Sequence, residues 1–311
     1  MVSAKDHLLA RFNAYVKERF PLGSFLPLII LFSCSLSYSG QVINRQPIDF
    51  FDIDLLLGFG VLLLVFFHLR LFDEFKDYEG DLTEHPERLV SRGVVSLQEL
   101  RYLTLLVILV EVILVVQLSP LANLAYVVTL LFSLLMFKEF FLGDLLRGDM
   151  LIYAVSHQAI ILFMAWFGLN LQSDVFLSSH VMHLIAIGVV FQTSSFAFEL
   201  SRKTHDPAKT EPLLQAYSKY LGWKKLGVIV VILFFVASFA FWQFVAQSSG
   251  SVWLVGLQFG ITLIMSSLVL NTSFDPVSSK VKQFQNWTAL HMLLLFINLI
   301  INSYLARMGT L

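Results

Sequence analysis

Apolar residues in this chain come in long runs rather than in the narrow periodic stripes of a soluble helix. The runs lie at roughly Leu22–Tyr38, Ile53–Phe72, Gln98–Leu118, Leu121–Leu142, Met150–Leu169, His180–Leu200, Leu221–Gln243, Val252–Leu270 and Phe284–Leu305. Crossing ~30 Å of hydrocarbon takes about 20 residues of helix, and the runs approach or exceed that length. The pattern predicts an all-α polytopic membrane protein of about nine transmembrane helices around a central cavity, built as one domain over residues 1–311.

The polar interruptions are of two kinds. Ser119-Pro120, Asn170–Ser178 and Gln247–Ser251 are short connectors, and Ser273–Gln285 is intermediate. Residues 73–97 and 201–220 are long and rich in charge. These two sit four spans apart, at equivalent places in two four-span blocks, which suggests an internal repeat without establishing one. The first 20 residues carry Leu8, Phe12, Tyr15, Val16 and Phe20 on one side and Asp6, Arg11, Lys17 and Glu18 elsewhere. They predict an amphipathic helix along the membrane surface, with Lys5 and Arg19 snorkelling from its ends. The segment has no uninterrupted apolar stretch of the kind a cleavable leader carries.

Composition agrees with the pattern: 57% of residues are hydrophobic, 14% are charged, and mean hydropathy is +0.76. A net charge of -1 supplies no field for nucleic acid. Cys34 is the only cysteine, which excludes an intramolecular disulfide and a thiolate metal cluster and predicts a small apolar filler. Lysine and arginine then set the orientation. With the N-terminus cytoplasmic, every Lys and Arg except Arg45 and Arg307 lies on or near that face, as do both long connectors. The glycosylation patterns at Asn271 and Asn286 also fall there and are expected to stay unmodified.

The charge-rich connectors hold the candidate chemistry. Asp73, Asp77 and Asp81 recur at four-residue spacing and stack on one helical face, with Glu74 beside them. Like charges so placed repel unless hard cations lie between them, and Mg²⁺ suits a few carboxylates plus substrate phosphate oxygens. The following stretch, His85-Pro86-Glu87-Arg88 to Arg92-Gly93, adds two arginines able to grip phosphate. A solvated loop obeying the positive-inside rule accounts for the arginines but not for the acidic row. In the second connector Glu199, Arg202, Lys203 and Asp206 share a face. They read either as an ion-pair network or as further metal ligands, Glu199 and Asp206, beside a diphosphate-neutralising pair, Arg202 and Lys203.

Lys138 ends the fourth span, where snorkelling is the ordinary role, and is a further candidate for diphosphate. Tyr153 and His157 share a face of the fifth span; a buried, hydrogen-bonded histidine is the leading expectation there, and a catalytic role for His157 or Tyr153 is the alternative. His180 and His183 have ligand spacing but no carboxylate companion, and are read as interfacial. The 30 Phe residues are expected to face lipid or core, some lining an apolar tunnel.

At the acidic row the chain resembles the UbiA superfamily of intramembrane prenyltransferases. The family pattern is Asn-Asp-x-x-Asp-x-x-x-Asp, then Lys/His-Pro-x-Arg-Pro-x-x-x-Gly. Here Asp73 stands where Asn is usual, Glu74 where Asp is usual, and Leu89 where Pro follows Arg88. In the second motif Lys203 replaces a carboxylate four residues after Glu199. The resemblance implies a Mg²⁺-dependent enzyme that ionises an isoprenyl diphosphate in a lipid-embedded cavity and passes the prenyl group to an aromatic or other apolar acceptor. Asp73, Asp77, Asp81 and Glu199 would then be catalytic, with Glu74 and Asp206 as additional metal ligands, and Arg88, Arg92, Arg202 and Lys203 on the diphosphate. Some members of that superfamily instead capture the cation intramolecularly, as terpene cyclases. A transporter is the rival of another class, although its sites lie near the bilayer midplane rather than at one face.

Overall fold

The computed structural model describes residues 3–206, 216–248 and 250–308. Among them there are helices and no strand. The helices are α1 (Leu8–Arg19), α2 (Leu22–Ile43), α3 (Ile53–Lys76), α4 (Tyr78–Glu84), α5 (Leu97–Val115), α6 (Pro120–Phe137), α7 (Gly143–Arg147), α8 (Met150–Gln158), α9 (Ile160–Leu169), α10 (Leu177–Arg202), α11 (Tyr217–Tyr220), α12 (Trp223–Gln247), α13 (Val252–Phe274) and α14 (Ser278–Met308). Their starts follow capping chemistry. Ser96 and Glu99 form a reciprocal capping box on α5, Ser119 caps α6 with Pro120 in its first turn, and Asp149 accepts from Leu151 and Ile152 N–H at the start of α8.

Eight helical segments among the described residues are long and apolar enough to cross a membrane. They are α2, α3, α6, α8 with α9, α10, α12, α13 and α14. The third expected span, now α5, is of similar length but carries Glu99, Arg101 and Glu111. One other expectation needs correction. The apolar pattern extends the fourth span to Leu142, but α6 stops at Phe137, and Glu139, Phe140 and Phe141 turn at φ 48°, 53° and 58°. The fifth span keeps its expected bounds, Met150–Leu169, and consists of two helices that meet at Ala159, where the Leu162 N–H bonds three residues back, to Ala159.

Helices α2, α9, α10 and α14 pack around one another at the centre. Helices α3, α5 and α6 flank them on one side, and α12 and α13 on the other. Phe32, Phe191 and Phe296 fill the middle of this ring, with centroids 4.6–6.0 Å apart, so at their level the centre is packed. Small residues let the backbones approach: a side chain at Gly40 would collide with the Leu169 carbonyl of α9.

Each flank is also clamped by a buried polar network. His68 of α3 contacts Glu111 of α5 at 2.7 Å through Nδ1 and Ser133 of α6 at 3.1 Å through Nε2. Tyr126 donates to the other Glu111 oxygen at 2.9 Å. This explains how α5 keeps a carboxylate in its interior. On the other flank, Thr262 lies 3.0 Å from His291 Nε2 and 2.7 Å from Ser238, and Asn298 donates to Gln258 at 2.7 Å. Glu111→Leu leaves His68 and Tyr126 without their acceptor. It is expected to cost about 2 kcal/mol or more, read as a lowered unfolding midpoint in lipid discs. An unchanged midpoint contradicts the clamp.

Candidate active site

The acidic row lies where α3 ends and α4 begins. Asp77 closes one helix and opens the next, yet the Asp77 N–H bonds Asp73 C=O at 2.9 Å and the Asp81 N–H bonds Asp77 C=O at 2.8 Å. The four-residue stacking read from the sequence therefore persists across the junction.

The four carboxylates have different partners. Glu74 is 2% exposed and is held by Arg19 at 2.5 Å and Arg70 at 3.0 Å. Asp81 pairs with Arg88 and lies 3.7 Å from Arg19. Asp73 is partly exposed, with Arg70 at 3.5 Å and Lys76 at 3.4 Å. Asp77 makes no ion pair among the described residues within 4.0 Å.

The carboxyl of Asp77 is perturbed. Partial burial, then the charges of Asp73 and Asp81, push its carboxyl up to about 6, against the opposing pull of Lys76 and Lys203. The folded protein thus holds the Asp77 proton more tightly than the unfolded chain does. Stability is present at low pH and declines as pH rises from about 4 to about 6. Because solvent reaches Asp77, the decline is shallower than the full shift implies. Asp77→Asn is expected to flatten that segment when the unfolding midpoint is measured against pH; an unaltered slope contradicts the assignment.

The second motif faces the first. Glu199, near the end of α10, accepts from Arg202 at 2.8 Å and Lys203 at 3.2 Å. Lys203 is near enough for its charge to act on Asp77, and Arg202 lies within electrostatic reach of Asp73. Tyr217 folds back over this end, its N–H bonding the Lys203 carbonyl at 2.9 Å. From α8, Tyr153 meets the row as well: Lys76 Nζ is 3.4 Å from its hydroxyl, and its ring stacks on His157 at 3.9 Å.

Other predicted residues stand apart. Asp206 accepts from Ser278 at 2.6 Å. Arg92 is exposed, and no side chain among the described residues pairs with it. Lys138 is exposed with its ammonium 5.2 Å from the Phe137 ring, while its neighbour Glu139 is buried and paired with Arg147 at 3.0 Å. Residues 207–215 of the second charged stretch lie outside the described residues.

No group of three or more His, Cys, Asp or Glu among the described residues is gathered tightly enough to hold a metal alone. Arginines pair with Glu74 and Asp81, and Asp73 has Arg70 at 3.5 Å and Lys76 at 3.4 Å. Asp73 and Asp77, one turn apart, are the carboxylates whose surroundings fit Mg²⁺, because Mg²⁺ commonly takes one or two carboxylates and completes its shell with substrate phosphate and water. Their hard oxygens and mutual repulsion fit a divalent ion.

The row is braced from outside by α1. Tyr15, fully buried, packs with Leu71, Leu89, Val90, Val94, Val95 and Leu100. Arg11 bonds Glu99 at 2.6 Å and the Val94 carbonyl at 2.8 Å. Glu18 accepts from the Leu89 N–H at 3.1 Å, a bond that a proline at this position could not make. The amphipathic reading of α1 therefore needs correction at Arg19, which turns inward to Glu74 instead of snorkelling. Gly93 takes φ +68°, and a Cβ there would meet open space. Gly93→Ala is accordingly expected to cost about 1 kcal/mol through backbone conformation alone, read from the unfolding midpoint.

Sequence reasoning missed Arg19 and Arg70 as parts of this cluster, and it set Tyr153 apart with His157. Arg70 had a signal, its four-residue spacing to Glu74. Arg19 had none, because its partners lie more than 50 positions away.

Fold and site together define an all-α integral membrane protein whose ionisable side chains gather where α3 and α10 end. Two solved structures share this fold. One is of digeranylgeranylglyceryl phosphate synthase, with TM-score 0.62 and 15% identity, covering 94% of this chain and 99% of that one. The other is an apo UbiA homolog from Aeropyrum pernix K1, with TM-score 0.61 and 15% identity, covering 88% of this chain and 97% of that one. No protein-family model and no curated protein sequence matches the chain. The fold expected from the motif resemblance is thus the fold found.

Proposed function

We propose that this protein is a Mg²⁺-dependent intramembrane prenyltransferase, ionising an isoprenyl diphosphate at the mouth between α3 and α10 and passing the prenyl group to an apolar acceptor. One observation carries the reading: an acidic pair, Asp73 and Asp77, opposes a basic pair, Arg202 and Lys203, above a bundle of apolar helices. A diphosphate head and a hydrocarbon tail need those two environments in that order. The shared fold with a UbiA homolog and a prenyl-lipid synthase supports it.

Asp73 and Asp77 would hold the metal. Bound there, Mg²⁺ would supply positive charge to the departing pyrophosphate oxygens. The chain's own groups do the rest. Arg202 and Lys203 neutralise the leaving group from α10, and Lys76 does so from α3. Arg88 stays on Asp81 and holds the row in place. The apolar helices keep water from the allylic cation, and the rings of Tyr153 and Phe140 lie near enough to the mouth to offer it their faces.

The mouth faces the cytoplasm in this reading, as the lysine and arginine distribution requires. Arg92→Cys in a Cys34→Ala background should react with an impermeant maleimide in inside-out vesicles and be protected in right-side-out ones. The reverse pattern overturns the orientation.

The reaction itself is tested by pairing an allylic diphosphate with its saturated analogue. Ionisation needs allylic stabilisation, so pyrophosphate is expected from the first and not the second. Equal release from both would make this a phosphohydrolase and end the prenyl-transfer reading.

A further inference from the structure

The mouth carries more fixed positive charge than an acidic row needs. Asp73, Glu74 and Asp81 have Arg19, Arg70, Lys76 and Arg88 within 4.0 Å, and Asp77 stands among them without a pair. Across from them Glu199 meets both Arg202 and Lys203. Among the described residues, five carboxylates thus face six cationic side chains, a net charge of +1.

Two of these cations sit as a bound ion would. Arg19 reaches two carboxylates seven positions apart: it is 2.5 Å from Glu74 through Nε and 3.7 Å from Asp81 through its terminal nitrogen. Its side chain is 10% exposed, and its charge cannot be titrated away. The chain is fixed on both sides of it. Phe20 is buried, with its ring 4.1 Å from Phe25 and 5.2 Å from Phe67 of α3. Glu18 holds the Leu89 N–H, next to Arg88. Glu74 is one methylene longer than the Asp usual at its place, and it is the carboxylate Arg19 approaches most closely. A buried ion pair is a weak device for stability alone, so three arginines on Glu74 and Asp81 call for another reason.

Lys203 is the second. An ammonium is a compact point charge. This one lies 3.2 Å from Glu199 of α10, and its field also reaches Asp77 at the end of α3. It acts on carboxylates from two helices, as a bridging ion would.

Charge balance gives the count. An isoprenyl diphosphate brings about three negative charges near neutral pH. A mouth of net charge +1 with one Mg²⁺ cancels them. Each further ion would leave uncompensated charge in a partly buried site, which is costly.

We propose that the mouth takes a single divalent ion, on Asp73 and Asp77, and that two tethered cations, Arg19 from α1 and Lys203 from α10, stand where further ions would otherwise be needed. This rests on the function proposed above. Arg19 is a positioning residue in it: it neutralises Glu74 and Asp81 and keeps both from the metal.

The test counts ions with Mn²⁺, which shares the octahedral oxygen coordination of Mg²⁺ and whose free-ion resonance is lost on binding. Purified protein in lipid discs is titrated in the presence of a saturated isoprenyl diphosphate. Wild type should bind one Mn²⁺ per chain, and Lys203→Asp should bind two. Two ions in wild type, or still one in Lys203→Asp, overturn the inference and leave the Mg²⁺-dependent reading intact. No Mn²⁺ on wild type overturns that reading and the inference with it. The wild-type count decides the matter even where a variant fails to fold. Arg19→Ala adds a second readout. With an allylic diphosphate, its pyrophosphate release should fall about 10–100-fold at the Mg²⁺ level that saturates wild type, recover in part at raised Mg²⁺, and be largely retained in Arg19→Lys. A loss that raised Mg²⁺ leaves unchanged would make Arg19 a brace for α1 and overturn its part in the inference.

Discussion

Replacing Asp77 by asparagine is expected to lower pyrophosphate release by about 10²–10³-fold while leaving the folded protein at least as stable as the parent. The two halves of this result have one cause. Asp77 is ionised among like charges, with Asp73 and Asp81 both raising its carboxyl, and no ion pair compensates it directly. Such a carboxylate costs the protein stability, and on the function proposed above a divalent ion with substrate phosphate at the mouth would offset that cost. Asparagine removes the repulsion and the ligand together. Activity comes from a discontinuous pyrophosphate assay, and stability from thermal unfolding near neutral pH. A variant that is both less stable and fully active would show Asp77 to be a structural surface group.

Glu74→Ala should fail in the opposite way. Glu74 is buried, and it neutralises Arg19 and Arg70, which are themselves mostly covered. Removing one partner of a buried ion pair leaves uncompensated charge and costs about 3–5 kcal/mol. The lower end of that range is expected, because Arg19 keeps Asp81 at 3.7 Å and Arg70 keeps Asp73 at 3.5 Å. The variant should therefore unfold well below the parent and should lose the docking of α1 along with the ion pair. If Glu74 were a metal ligand instead, as its place in the motif implies, the loss would appear in activity and would be relieved by raised Mg²⁺. A parent-like unfolding midpoint with Mg²⁺-rescued activity would assign Glu74 to the metal.

These contrasting outcomes mark what was legible in the sequence. The spans were legible because twenty apolar residues in a row have one common physical use, and the long helices fall close to the predicted runs. The stacking of Asp73, Asp77 and Asp81 was legible because helical spacing survives a change of helix when the backbone bonds continue through it. What separates Glu74 from Asp77 was not legible. Both are carboxylates in one motif, and the difference is made by Arg19, which arrives from a helix far away in sequence. Helix α5 shows the converse: its run was read as a span, yet Glu99, Arg101 and Glu111 keep it out of the set of helices apolar enough to cross, and the partners of Glu111, His68 and Tyr126, come from other helices. The bend after Phe137 was hidden for another reason: Phe140 and Phe141 are apolar, and composition gives no sign that their backbone turns left-handed.

The Lys203 departure from the family pattern is also informative. Where a second carboxylate is usual, this chain places an ammonium that pairs with Glu199 at 3.2 Å and faces Asp77. The α10 side of the mouth is thereby basic. On the function proposed above, diphosphate recognition there would rely on Arg202 and Lys203, and metal binding would be left to the α3 side.

The most direct test of the account is pyrophosphate release by the purified wild-type protein in lipid discs, given an allylic diphosphate with Mg²⁺ or with a chelator. Release that requires Mg²⁺ and is lost in Asp77→Asn is the predicted result. Release that proceeds equally in chelator, or none from allylic diphosphates of any length, would contradict it.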